Sequence, residues 1–585
     1  KAAIIITSGF AEVGRLKDEL AIKETASRYG IRYCGPNCAG MVNTHQKLFP
    51  TLEAAPPQGS VALVSQSGSV GGMLMTMAAE GNLGISKFIS YGNGYDLNEL
   101  ELLRYLKDDP QTSVIAMYLE NIRDGRAFMR ELKEVTKQKP VVIVKSGRTG
   151  TGQRATLSHT GSLAGSDAVY NAAFRECGAL RVKNIEEMFY LCKAFALLKP
   201  VLGKTLSIIT NSGGPAVMSA DCGEEAGLQV NEPSEALKRQ LAEFLPVHAS
   251  FRNPIDLTVE GGGEQYRRAT ALALKESDAA LAIYVGTPYL AAMPIAEGLI
   301  AAYQDGRKPI AATMLVGQDI KAAIARLEEQ GIACFPSGEA AVNALSSMAW
   351  YYDYLKAALP LAVPAEACGS LAKPLLSEAE AMRLLQKHEI PILPFAQAIN
   401  SDEAVLCCQK IGYPVVMKVV SPDIVHKSGR GGVILDIGND QAARAAFASL
   451  QKAAAGCVFD GVIIYPQLNR GHELIVGLSY DAQFGPVIAC GMGGIYTEIL
   501  RDLAVMVAPV SKQQAVRMIK SLRGYDILAG ARGGIAINEE LLAEVIVKLS
   551  QLPFLYPDLR EADLNPIFVT ETQVYPVDAR IIGSK

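Results

Sequence analysis

Along the first 350 or so residues, short apolar runs alternate with segments of helical periodicity. "AAIII", "IRYC", "VALVS", "SVIAMYL", "PVVIV", "TLSIIT", "AALAIYV" and "PIAATML" are the apolar runs. Runs of this length without internal alternation, separated by roughly 15–30 residues of amphipathic sequence, predict βα units built into buried parallel sheets. A break at "LLKPVLGKT" (197–205) divides two such systems, and "ALPLAVPAEACGSLAKP" (358–374) reads as a linker. Beyond it the texture changes. "YPVVMKVV", "GGVILDI", "GVIIYPQL", "HELIVGLSY" and "GPVIACGMGG" are closely spaced strands and predict a mixed, largely antiparallel system.

Composition adds the setting. A chain of 585 residues has the length of about four domains. The apolar share of 49% and charged share of 20% are ordinary for a soluble globular protein. A formal charge of −4 provides no basic field, which argues against nucleic acid or an anionic membrane as partner. No apolar stretch reaches the roughly 18–20 residues of a membrane span, and no signal peptide is visible. The 11 cysteines are scattered; Cys34 with Cys38 and Cys407 with Cys408 are close pairs without zinc-site spacing. Reduced thiols in a cytoplasmic enzyme are the expectation. "KAAIIITSGF" opens without methionine on a buried-type strand, so the chain is expected to begin partway through a domain.

Each α/β system has a turn of small residues between a strand and a helix. In "VALVSQSGSVGG" it is formed by Ser67, Gly68 and Ser69; in "SIITNSGGPAVMSAD" by Asn211, Ser212, Gly213 and Gly214. Glycine lets a ligand approach the backbone, and the free N–H groups and dipole of a helix start favour an anion. A plain βα turn capped by Ser or Asn would account for either one alone. Two matching turns beside a histidine loop favour a shared phosphate site.

That histidine, His159, lies in "RATLSHTGSLAG". Neutral imidazole is abundant near pH 7 and can attack phosphorus. A phosphorylated ring that must travel between sites suits a Gly/Ser/Thr loop. It also needs a carboxylate to fix its tautomer. Glu120, ending the run "SVIAMYLEN", would enter from the C-terminal edge of a parallel sheet, where α/β folds bind ligands. Taken singly, a loop histidine and a strand-end acid are more often without chemistry.

"GPNCAG", "VSQSGSVGG", "YLENIRDGRAF", "SHTGSLAG" and "NSGGPAV" resemble, in order, the motifs of ADP-forming (NDP-forming) acyl-CoA synthetases of the succinyl-CoA synthetase superfamily. The resemblance covers essentially the whole chain. It implies an α/β multidomain protein. Residues 1–57 would be the C-terminal part of a Rossmann-like CoA-binding domain, and 58–200 a flavodoxin-like CoA-ligase domain with the phosphohistidine loop. Residues 201–362 would be a second flavodoxin-like CoA-ligase domain, 363–374 a linker, and 375–585 an ATP-grasp domain. It assigns the phosphorylated histidine to His159 and its stabilising carboxylate to Glu120. Phosphate binding falls to Ser67 and Gly68 on one side and to Gly213 and Gly214 on the other. Asn37 in "GPNCAG" becomes a CoA contact, with the glycine turn for the CoA nucleotide expected upstream of residue 1.

Nucleotide chemistry is also readable in the last third. Lys418 in "PVVMKVV" precedes the glycine-rich turn "HKSGRGGV", which holds Gly431 and Gly432; a lysine and a glycine-rich hairpin closing over phosphates is the ATP-grasp arrangement. "EADLNPIFV" and "VYPVDARI" put Asp563, Asn565 and Asp578 on neighbouring strand candidates, as hard oxygen ligands for Mg²⁺ bound with nucleotide phosphates. Glu473 in "GHELIVG" is read as part of the same site. His426, at the glycine turn, matches a histidine proposed in this family to take the phosphate nearer the nucleotide.

The expected reaction joins a carboxylic acid to CoA with ATP giving ADP and phosphate, reversibly, through acyl phosphate and phosphohistidine intermediates. CoA, an adenine nucleotide and Mg²⁺ are the implied partners, and a homo-oligomer is compatible with the reading. The rival from another class is a degenerate acyl-CoA-sensing module of a protein lysine acetyltransferase. A plain ATP-grasp ligase would leave the His159 loop unexplained.

Overall fold

The computed structural model describes the chain apart from residues 150, 152–165, 307, 318, 358, 425–430, 469–470, 495–501 and 585. It divides into two units, one of Lys1–Asp167 with Phe174–Leu359, the other of Ala168–Ala173 with Pro360–Lys585.

In the first unit a six-stranded sheet runs in the order Gly40–Asn43, Ile85–Ser90, Gln58–Ser65, Val114–Leu119, Val141–Lys145, Leu180–Val182. All neighbours are parallel except Gly40–Asn43, which pairs antiparallel with Ile85–Ser90. A second, parallel sheet has the order Ile255–Asp256, Leu206–Thr210, Ala279–Tyr284, Ile310–Met314, Ala333–Cys334. Ala2–Ile4 and Arg32–Cys34 form a separate parallel pair. Helices cover both faces, so the central strands are buried on alternate and intervening positions alike and carry no polar alternation. The helices Ile185–Leu197 and Gly338–Lys356 contribute Leu191, Met188, Leu345 and Met348 to one core that holds Leu63 and Val142 of the first sheet and Ile208 and Leu281 of the second.

The eight apolar runs read from the first part of the sequence all coincide with strands. Gly40–Asn43, Leu180–Val182, Ile255–Asp256 and Ala333–Cys334 are too short to stand out as runs. Ile85–Ser90 is hidden for another reason: it is wholly buried yet carries Ser86, Lys87 and Ser90. Lys87 is tolerated there because its Nζ lies 3.0 Å from Asp109 Oδ2 and 2.8 Å from Gln111 Oε1. The helix Asp167–Glu176 follows the segment that contains His159.

In the second unit every strand pairing is antiparallel. One sheet has the order Ala396–Ala398, Val462–Pro466, Val415–Val419, Val433–Ile437. The other runs Leu503–Val507, Gly485–Met492, His472–Asp481, Leu559–Val569, Val574–Pro576, and Arg580–Gly583 also pairs with Leu559–Val569. In His472–Asp481, Leu474, Val476 and Leu478 are buried in one core with Leu542, Ile546 and Leu549 of the helix Glu539–Leu555, while Glu473 and Gly477 point to the other face. The linker sequence belongs to this unit. Ala365 N donates to Gln551 Oε1 at 2.9 Å, Cys368 N to Leu555 O at 2.9 Å, and Leu371 N to Asp558 Oδ2 at 2.9 Å. Among the described residues no helix is long and apolar enough to cross a membrane.

Candidate active site

The strand Gln58–Ser65 ends in a turn locked by its own polar side chains. Ser65 Oγ donates to Ser67 O at 2.5 Å. Gln66 reaches across to the next strand end, where its Oε1 accepts from Glu120 N (2.7 Å) and Asn121 N (3.1 Å) and its Nε2 donates to Asn121 Oδ1 (2.9 Å). Ser67 caps the helix Gly68–Glu80, its Oγ accepting from Val70 N and lying 3.1 Å from Ser69 Oγ. Gly68 has no positive φ, and among the described residues a Cβ there would meet Ala39 alone, its Cβ at 3.4 Å and its N at 3.7 Å. Gly71, one turn later, is different: a Cβ there would stand 2.7 Å from the Phe88 ring, so this glycine sets how close helix and sheet approach.

The second turn repeats the arrangement. Thr210 Oγ1 donates to Ser212 O at 2.9 Å and accepts from Ser212 N at 2.9 Å. Asn211 bridges to the next strand end, its Oδ1 accepting from Val285 N (2.8 Å) and its Nδ2 donating to Val285 O (2.9 Å). Ser212 precedes the helix Gly213–Glu225, and its side chain makes no capping bond. A Cβ on Gly214 would meet nothing within 4 Å; one on Gly213 would meet only Asp256 Oδ2, at 3.4 Å. Neither packing nor backbone strain calls for glycine at these two positions or at Gly68. Open helix N–H groups at the C-terminal edge of each parallel sheet can receive an anion.

Glu120 is half-buried at that edge of the first sheet, placed there by the Gln66 lock. The adjoining strand ends at Lys145, in register with Leu119. Burial pushes the Lys145 ammonium down to about 8; Arg181 pushes the same way, while Asp167 and Glu120 oppose it. Lys145 Nζ donates to Ser146 O at 2.6 Å. His159 and His426 lie outside the described residues.

Asn37 sits in the left-handed region (φ 58°), after the strand Arg32–Cys34. Its Nδ2 donates to Asn93 Oδ1 at 3.3 Å, and Asn93 Nδ2 donates in turn to Glu12 Oε2 (2.8 Å) and Glu19 Oε2 (3.0 Å). Gly92 is obligatory beside it: at φ +57° a Cβ would stand 2.1 Å from Pro36 O.

In the second unit Lys418 is buried near the end of the strand Val415–Val419. Its Nζ donates to Val577 O and lies 3.4 Å from Glu378 Oε1 and 3.8 Å from Asp578 Oδ2. Tyr465 Oη donates to the same Glu378 oxygen at 2.7 Å. Gly432 O accepts from Val419 N at 2.9 Å, which ties the glycine turn to the lysine strand, and Gly431 (φ +68°) leaves the space beside it open. The structure therefore brings Lys418 and Asp578 together, with Gly432 bonded to the neighbouring Val419. Glu378 and Tyr465, which the sequence reading did not single out, join them.

Asp563 and Asn565 follow each other on one face of Leu559–Val569, their side chains hydrogen-bonded. The Asp563 carboxyl is pushed above its ordinary range, first by burial and then by the negative charges of Glu561 and Asp578; Arg580 and the Asn565 bond act against this. A cation would relieve that crowding. Among the described residues no three His, Cys, Asp or Glu side chains gather as a metal site. Mg²⁺ needs none, since one or two carboxylates with nucleotide phosphates suffice. Asp563, Asn565 and Asp578 fit such a role. Glu473 is exposed further along the same sheet face; its register partner is Phe568, whereas Asp563 pairs with Gly477. Its carboxylate lies over Gly494, where a Cβ would stand 2.9 Å from Oε2.

Comparison with known proteins bears on these sites. A profile described as a succinyl-CoA ligase like flavodoxin domain matches residues 58–195, and one described as an ATP-grasp domain matches 370–582. Acetate–CoA ligase [ADP-forming] I of Archaeoglobus fulgidus is 35% identical over 100% of this chain and 87% of its own length. The 4-hydroxybutyrate–CoA ligase [ADP-forming] of Nitrosopumilus maritimus is 33% identical over 98% of this chain and 85% of its own. The solved dinucleotide forming acetyl-coenzyme A synthetase 1 of Ca. Korarchaeum cryptofilum, in complex with phosphate and ADP, is 36% identical with a TM-score of 0.59; the match covers 62% of this chain and 80% of that one. These relatives are ligases along their whole matched length, which leaves the regulatory-module reading without support. On this identity and coverage the protein belongs to the ADP-forming acyl-CoA ligases of the succinyl-CoA synthetase superfamily.

Proposed function

We propose that this ligase works through a phosphohistidine at His159, with CoA, ATP/ADP and Mg²⁺ as its small-molecule partners. The observation that carries the reading is the pair of matching glycine turns, one of which is locked by Gln66 to the strand end bearing Glu120.

In the ATP-consuming direction His159 attacks the γ-phosphorus of ATP, a P–O bond breaks, and ADP leaves. Lys418 offsets charge on the nucleotide phosphates, with Gly431 and Gly432 beside them and Glu473 at the rim of the site. Asp563, Asn565 and Asp578 would hold Mg²⁺, which when bound would supply neutralisation of phosphate charge. In the relay form of this step His426 attacks the γ-phosphorus first, ADP leaves, and His159 then takes the phosphoryl group from His426 as that P–N bond breaks. Phospho-His159 carries the group to the turns of Ser67–Gly68 and Gly213–Gly214, whose N–H groups receive the phosphate oxygens. Glu120 holds the ring proton on the far nitrogen.

A substrate carboxylate then attacks phosphorus, the P–N bond breaks, and an acyl phosphate forms. The CoA thiolate attacks its carbonyl carbon and phosphate leaves, giving the thioester. Asn37 is the proposed CoA contact. Positioning and charge neutralisation account for each transfer, so rigid turns matter more than acid–base groups. Acetate and 4-hydroxybutyrate, named for two relatives, head the candidate acids.

A coupled assay of ADP and thioester formation over a panel of carboxylic acids tests the reading. Stoichiometric ADP, phosphate and acyl-CoA with at least one acid is the expected result. AMP and pyrophosphate as products would refute it.

A further inference from the structure

Lys418 has a buried carboxylate partner that the reaction scheme does not use. Glu378 is the first residue of the helix Glu378–Lys387, whose cap, Ser377, accepts from Glu380 N. A carboxylate at this end is favoured by the helix dipole, and it is needed, because Glu378 is only 8% exposed. Two donors meet its Oε1: Lys418 Nζ at 3.4 Å and Tyr465 Oη at 2.7 Å. Tyr465 is buried in the strand Val462–Pro466. It stands diagonal to Lys418, whose register partner is Ile463, and the ammonium lies 5.0 Å from its ring centre. Burial, and then the Glu378 charge, push the Tyr465 phenol far above its ordinary value, so it stays a donor at any working pH.

The two carboxylates near Lys418 differ in surroundings. Glu378 is closed off on the core side, whereas the Asp578 side chain is 30% exposed and 3.8 Å away. An arriving Mg-nucleotide can recruit Asp578 as an oxygen ligand. It cannot recruit Glu378 without taking from a buried phenol its acceptor and from a buried lysine, left with Val577 O, its buried counter-charge, which is costly. We infer that Glu378, oriented by Tyr465, is the positioning residue that keeps the Lys418 ammonium at the nucleotide site when Asp578 turns to the cation. This inference rests on Lys418 binding nucleotide phosphate as proposed above.

Calorimetric titration of Mg-ADP into the full chain tests it, with thermal melts run alongside. Lys418→Met should weaken binding about 100-fold, Glu378→Gln about tenfold and Tyr465→Phe about threefold, each tenfold step being 1.4 kcal/mol. In the Lys418→Met background, Glu378→Gln should add nothing, because its effect passes through the lysine. Tyr465→Phe carries the test by itself if Glu378→Gln does not fold. Wild-type affinity in both Glu378→Gln and Tyr465→Phe, or a full tenfold loss from Glu378→Gln persisting without Lys418, would overturn the positioning role. Wild-type affinity in Lys418→Met would instead overturn the nucleotide assignment of Lys418, and this inference with it.

Discussion

The two glycine turns of the first unit are built alike position for position, and their differences separate scaffold from chemistry. Ser65 and Thr210 each donate a hydroxyl hydrogen to the carbonyl two residues on, and Gln66 and Asn211 each bridge to the neighbouring strand end. These bonds replace backbone pairing lost where a strand stops, and they fix the helix start in both sheets. What the bridge holds is not the same. Gln66 receives the N–H of Glu120, whereas Asn211 receives that of Val285. The flanks differ too: Ala39 stands over Gly68, and the Asp256 carboxylate over Gly213. Gly71 in the first helix corresponds to the buried Ala216 in the second. In the proposed function the first turn is paired with the carboxylate that acts on the imidazole, and the second receives an anion beside the Asp256 side chain.

Glu120→Gln should break the comparison most. It should slow formation of the phosphoenzyme from acyl-CoA and inorganic phosphate, the half-reaction at these turns, by about 100-fold, the scale of a lost positioned acid–base group. Val285→Ala, at the matching place, should change that rate less than about twofold. Rapid-quench labelling of both variants decides it; equal effects would remove the distinction between the turns.

Stability should separate the helices next. Gly71→Ala forces a Cβ into the Phe88 ring and should cost about 2 kcal/mol, read as a lower denaturant midpoint. Ala216→Gly should cost about 1–2 kcal/mol, through helix propensity and the loss of one buried methyl. Gly214→Ala has open space around it and should leave the midpoint unchanged or slightly raised, while weakening phosphate inhibition of acyl-CoA formation about tenfold. A destabilised Gly214→Ala with normal phosphate affinity would make this glycine structural. Smallest, Asp256→Asn removes the charge beside Gly213 and should tighten phosphate about two- to threefold, by the same inhibition assay.

Much of this was legible beforehand because parallel strands buried on both faces read as apolar runs, and a βα turn keeps its functional residues contiguous. Ser67–Gly68 and Gly213–Gly214 each lie in one stretch of sequence. The Gln66 and Asn211 locks were passed over, since a lone amide at a strand end does not announce its partner. The nucleotide region behaves differently. Antiparallel pairing brings Tyr465 beside Lys418, and a helix start and an interstrand segment add Glu378 and Asp578, all from widely separated stretches of sequence. Lys418 was visible through its glycine turn. Glu378 was not, because an acid at a helix start is ordinary capping chemistry until a buried lysine is seen against it. The strand Ile85–Ser90 was hidden by Lys87, whose partner Asp109 is revealed only by the fold.

The central claim is that His159 carries the phosphoryl group, and the direct measurement is labelling of the full chain with γ-labelled Mg-ATP followed by peptide mapping. The account predicts one label, acid-labile and base-stable, on the peptide that contains His159. His159→Asn should lose it while still binding Mg-ADP. A label that survives in His159→Asn, or that maps to a hydroxyl or carboxylate, would contradict the account.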